Sequence, residues 1–90
     1  MAWRVEIGDV AEKQLRRLDR PAQKRLLDWL EDRIEGCKNP RHFGEAQRGD
    51  LSGLWRYRVG DYRIICQIQD ERLIVLALAV GHRREIYRQV

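Results

Sequence analysis

The chain has 90 residues, with 18 Lys and Arg against 14 Asp and Glu, a net charge of +4 and two cysteines. This reads as one domain, 1–90, with room for a modest core and no disulfide framework. The longest apolar run, Leu73 to Val80, is too short to span a bilayer, and the N-terminus lacks a signal-peptide core. The expectation is a soluble, cytoplasmic protein with no membrane partner.

In chain order, Trp3 to Ile7 alternates apolar and charged residues as a half-buried strand does. Asp9 is a candidate N-cap with Glu12 three residues on, and Ala11, Leu15 and Leu18 form one apolar stripe, so a helix runs to about Leu18. Asp19-Arg20-Pro21 closes that helix and opens a second, whose buried face is Ala22, Leu26, Leu30 and Ile34 and whose C′ residue is Gly36. Its remaining positions, Lys24, Arg25, Asp28, Glu31, Asp32, Arg33 and Glu35, alternate in sign and read as a solvated face. Cys37 to Gly53 is a long connection without a clear period, and loops of that length are more often functional than idle. Within it His42 reads as exposed, Phe43 as the loop's anchor, and Arg48 as either solvated or substrate-binding.

Three strand-like runs follow. Trp55, Tyr57 and Val59 share one parity; Arg56 and Arg58 share the other. Gly60-Asp61 is a two-residue hairpin turn that sets Val59 opposite Tyr62, Arg58 opposite Arg63 and Arg56 opposite Ile65. Like charges directly cross-strand are destabilising, so the Arg58–Arg63 pair implies a missing anion, and a phosphate fits. Cys66 has the parity of Ile64 and Ile68 and reads as a small buried hydrophobe. The last run, Leu73 to Val80, reads as a central strand buried on both faces, interrupted at Gly81, with Glu85 to Gln89 long enough for a short helical turn. The sum is an α+β domain: two N-terminal helices packed on one face of a mostly antiparallel four-stranded sheet, in the order β-α-α-β-β-β. The helices cover the face of Trp55, Tyr57, Tyr62 and Ile64, and the face of Arg56, Arg58 and Arg63 stays open.

Charge distribution sharpens this. Residues 46–90 carry 8 basic against 5 acidic residues, and all eight are arginine, the planar fork suited to phosphate oxygens. Cys37, Cys66, His42 and His82 have no metal-site spacing, so neither a metal nor a cofactor is expected.

The order of elements, the stretch LxGLWRYRVGDYRIICQI and the ending VGHRREIY resemble the RelE branch of the RelE/ParE toxin superfamily, from Trp3 to Tyr87. The resemblance implies the toxin of a type II toxin–antitoxin pair: a ribosome-dependent, metal-independent endoribonuclease that cuts mRNA in the A site. Its partners would be the ribosome, mRNA and a small RelB-like antitoxin that wraps it. Residue by residue, the family's catalytic basic positions fall on Arg58, Arg63 and Arg83, with Arg56 and Arg48 as substrate-binding residues and Tyr87 as a base-stacking platform or a packed tail ring. Some relatives carry lysine at positions 56 and 58. Arginine stays protonated and is no ordinary general base, which leaves His82 as a candidate base or a structural histidine. A regular last strand puts His82 on the Arg63 face and Arg83 on the opposite one; a bulge at Gly81 would bring both in.

Two other readings use the same fold. A ParE-like chain poisons DNA gyrase by binding and cuts no RNA, and such chains usually lack the convergent basic cluster. A degenerate toxin acts only as partner and corepressor of its antitoxin.

Overall fold

A computed structural model describes residues 2–86. In it, β1 is Arg4–Ile7, α1 is Asp9–Arg17 and α2 is Arg20–Trp29; β2 is Gly44–Ala46, β3 Trp55–Val59, β4 Tyr62–Gln69 and β5 Ile74–His82. The five strands lie in the order β1-β5-β4-β3-β2, with β1 parallel to β5 and every other pair antiparallel. The class is the α+β sandwich read from the sequence, with five strands rather than four.

The extra strand comes from the long connection. Gly44 to Ala46 pairs with Tyr57 to Trp55, and three residues are too few to show a period. Gly44 permits the close approach: a Cβ there would stand 2.8 Å from the Tyr57 ring. The rest of the connection is also ordered by local bonds. A 3-10 turn at Pro40–Phe43 is capped by the Asn39 side chain, and the Tyr57 hydroxyl donates to the Pro40 carbonyl at 2.8 Å. His42 is exposed and Phe43 packs edge-on to Trp29, as expected.

The helices also differ in detail. Gly8, not Asp9, is the N-cap of α1 and makes no side-chain cap bond, so the Asp9–Glu12 capping box does not form; Glu12 instead pairs with Arg16 at 2.6 Å. Asp19 caps α2 by accepting from Ala22 N at 2.8 Å. Beyond Trp29 the helix widens into a π turn, Leu30–Ile34. The reason lies in the spacing: apolar residues every fourth position drift around a 3.6-residue helix, and a wider turn returns Ile34 to the face of Ala22, Leu26 and Leu30. Gly36 closes the segment at φ 78°.

The main core lies between helices and sheet. Leu15, Leu26, Leu30 and Ile34 meet Tyr57, Val59, Ile64, Cys66, Val75, Ala77 and Val80 there. Burial pushes the Cys66 thiol up to about 12, so it is an inert, packed group. A smaller cluster of Ile65, Ala79 and Ile86, edged by Leu54, lies on the opposite face. That face is therefore partly covered by the chain after β5, where an open surface was expected. Of the expected helical turn over Glu85 to Gln89, residues 87–90 lie outside the described residues.

Candidate nucleic-acid interface

The hairpin register is the one the Gly60-Asp61 turn dictates: Val59 pairs with Tyr62, Arg58 with Arg63 and Arg56 with Ile65. Gly60 takes φ 61°, the left-handed value this turn needs at its first central residue. Arg58 and Arg63 are thus directly cross-strand on the face away from the helices. Arg58 is exposed. Arg63 is only 8% exposed, and its Nη1 donates to the Gly60 and Tyr62 carbonyls, each at 2.8 Å. Those two acceptors fix the guanidinium against the turn, so this end of the site is pre-positioned rather than loose.

Arg56 lies on the same face, but β2 brings it a counter-charge. Glu45 is its cross-strand neighbour and accepts from Arg56 Nη2 at 2.7 Å. Arg48 is exposed at the start of the 3-10 turn Gly49–Leu51. Tyr87 lies outside the described residues.

The end of β5 settles where His82 and Arg83 go. Ile65 pairs with Ala79 but Cys66 pairs with Ala77, so the strand carries an extra residue, Leu78, between them. The bulge is at Leu78, not at Gly81, and it reverses the parity of everything after it. Gly81 falls opposite Arg63, and His82 falls opposite Tyr62 on the helix side. The His82 and Tyr62 rings meet edge-on at 6.0 Å, and His82 lines a cleft of about 270 Å³ with Gln14, Arg17 and Leu18. Its expected place on the Arg63 face is thereby overturned. Arg83 moves the other way. Its N–H donates to the Asp61 carbonyl at 2.7 Å, and its Nε stands 3.9 Å from the Asp61 carboxylate, so it is tied to the hairpin turn. Gln14 holds the bulged strand in place by accepting from Val80 N at 2.7 Å, a contribution from α1 that no local pattern announces.

Arg58, Arg63 and Arg83 are therefore gathered on one two-residue turn, with Asp61 beside them. The family pattern described as "ParE toxin of type II toxin-antitoxin system, parDE" matches residues 5–87. The chain belongs to the RelE/ParE superfamily of type II toxins. This toxin is 29% identical over 86 residues to Toxin RelE of Mycobacterium tuberculosis, covering 96% of this chain and 87% of that protein. It is 38% identical over 52 residues to Toxin RelG of the same organism, a match that spans 58% of this chain and 60% of RelG. Among solved structures, the RelBE2 toxin–antitoxin complex of M. tuberculosis superposes with a TM-score of 0.81 at 26% identity, covering 92% of this toxin and 100% of that chain. The RelE–RelB complex of Pyrococcus horikoshii gives 0.68 at 31% identity, with 92% and 97% covered.

Among the described residues no group of His, Cys, Asp and Glu could hold a metal ion, and no helix is long and apolar enough to cross a membrane. The toxin's sequence also understated one residue. Arg25, read as part of a solvated helix face, has its guanidinium against Gly60: a Cβ there would stand 2.5 Å from Nη2 and 2.6 Å from Cζ. The missed signal is long-range, since only the packing of α2 over the hairpin brings positions 25 and 60 together.

Proposed function

We propose that the toxin is a ribosome-dependent, metal-independent endoribonuclease that cleaves mRNA in the A site, and that a RelB-like antitoxin neutralises it. The observation that carries this reading is the gathering of Arg58, Arg63 and Arg83 at the Gly60-Asp61 turn. An arginine pair facing each other across a hairpin, with a third arginine beside it, concentrates positive charge where an anionic backbone would be bound. The antitoxin is supported by the two similar solved complexes, each of which pairs a RelE toxin with a partner.

The reaction is attack of a ribose 2′-oxygen on the adjacent phosphorus. A 2′-O–P bond forms and the P–O5′ bond breaks, leaving a 2′,3′-cyclic phosphate and a 5′-hydroxyl; the 2′-proton passes to solvent water and the departing 5′-oxygen takes a proton from water. Arg63 and Arg58 clamp the non-bridging oxygens and stabilise the charge that grows on them. Arg83 serves the leaving oxygen, Arg56 and Arg48 hold flanking RNA, and Tyr87 stacks on a splayed base. The arginines do not give up their protons, and His82 faces the helices, so catalysis rests on positioning and charge rather than on a tuned base. Orientation of the 2′-hydroxyl then comes from the ribosome, and the isolated protein cuts free RNA poorly.

In vitro translation of a defined mRNA with the purified toxin, with RNA ends mapped by primer extension, tests the reading. Cuts in the A site that require ribosomes and vanish in Arg63→Ala support it. Intact mRNA with inhibited DNA gyrase supports a second reading, a ParE-like poison, which the matched family pattern favours.

A further inference from the structure

Gly60 is touched by two guanidiniums from two different layers of the protein. Arg63, from the sheet, donates to its carbonyl at 2.8 Å. Arg25, from α2, lies against its α-carbon, with Nη1, Nη2 and Cζ all 2.5–2.6 Å from where a Cβ would be. Three guanidinium atoms at nearly equal distance mean that the plane of the group lies flat on the glycine. The left-handed φ of 61° favours glycine here, and the missing side chain leaves room for the guanidinium to lie against the turn. Among the described residues Arg25 makes no ion pair, and its neighbour Lys24 is instead bonded to Asp28 at 2.7 Å. Two cations are thus held on a single residue, with Arg58 across the hairpin and Arg83 on Asp61. A polyanion laid over the turn would meet these charges together. The flat side of the Arg25 guanidinium rests on the glycine and the residue is exposed, so its planar N–H fork, the shape that suits phosphate oxygens, remains accessible.

We propose that Arg25 is a further RNA-binding residue, contacting a backbone phosphate next to the one held on the Arg58–Arg63 side of the turn. The RNA strand would pass over the tip of the hairpin, touching the sheet face with one phosphate and the helical layer with the next. This deepens the endoribonuclease reading and rests on it for the identity of the polyanion, but the contact itself is measurable without cleavage.

The test is a titration of the purified toxin with a short single-stranded RNA across a range of salt concentrations. Each phosphate neutralised on a single strand contributes about 0.7 to the slope of log affinity against log salt. Arg25→Gln is expected to lower that slope by about 0.7 with an unchanged melting temperature, because Arg25 is exposed. Arg25→Lys, which keeps the charge, is expected to restore it. Lys38→Gln is the control: Lys38 follows Cys37, which pairs with Trp3 at the opposite end of the sheet, and its slope should equal wild type. An unchanged slope in Arg25→Gln, an equal fall in Lys38→Gln, or a wild type that binds RNA without salt dependence overturns the assignment. The two readings fail separately. A slope that falls with Arg25→Gln in a toxin that cuts no mRNA on ribosomes keeps the contact and removes the enzyme; ribosomal cutting with an unchanged slope does the reverse.

Discussion

The two faces of the β3–β4 hairpin are made of alternate residues in the same two strands, and they follow opposite rules. Toward the helices, Tyr57, Val59, Ile64 and Cys66 are each no more than 3% exposed, and the Tyr57 hydroxyl is bonded to the Pro40 carbonyl. That face minimises free energy: apolar area is removed from water and the buried polar atom has its partner. On the other face, two arginines sit directly opposite each other and a third is tied to the same turn. Like charges are tolerated there because the apolar face stabilises the hairpin independently. One parity supplies the stability that lets the other gather arginines at one turn.

That division can be broken from either side. The largest effect is expected in the core, where Leu26→Ala should cost about 2–5 kcal/mol and Ile64→Ala a similar amount. Chemical denaturation would measure the loss, and cleavage should fall only with the folded fraction. Arg63→Lys should lower ribosome-dependent cleavage by about 100-fold or more, since the charge remains but the fork is lost. Because Arg63 is nearly buried and bonded to two carbonyls, its melting temperature should also drop, a cost that an exposed arginine would not show. Wild-type cleavage by Arg63→Lys would remove the phosphate clamp.

Smaller changes sharpen the picture. His82→Ala should leave ribosome-dependent cleavage unchanged, because the ring packs on Tyr62 and lines the cleft beside α1; a large loss of cleavage would return it to the reaction. Arg58→Ala should raise stability by a few tenths of a kcal/mol as the cross-strand repulsion is relieved, while cleavage falls. A clear drop in melting temperature would contradict that balance.

The smallest expected effect lies at the other end of the sheet. Arg41 bonds both Asp70 carboxylate oxygens at 2.8 Å and holds that carboxyl below its usual range. A carboxyl depressed on folding stabilises the protein above its unfolded value and loses that contribution as pH falls through the acid range. Arg41→Ala should therefore flatten acid denaturation slightly, and an unchanged acid limb would show the exposed pair to be inert.

Strand and helix identities, the helix-facing core and the hairpin register were legible in the chain itself. Each depends on local rules: period, the Asp19-Arg20-Pro21 break between the helices and a turn with one permitted register. Arg58 and Arg63 were legible for the same reason. The short β2, with Glu45 against Arg56, was not, because three residues carry no period and their pairing is decided by Tyr57 and Arg56 across the sheet. The positions of His82 and Arg83 turned on the Leu78 bulge, which one extra residue in an apolar run does not reveal. The contact of Arg25 with Gly60 arises only when α2 packs over the hairpin. The scaffold and the first two arginines follow from neighbours along the chain. Tertiary structure decided which further charges join them, since that depends on residues far apart in sequence meeting in one place.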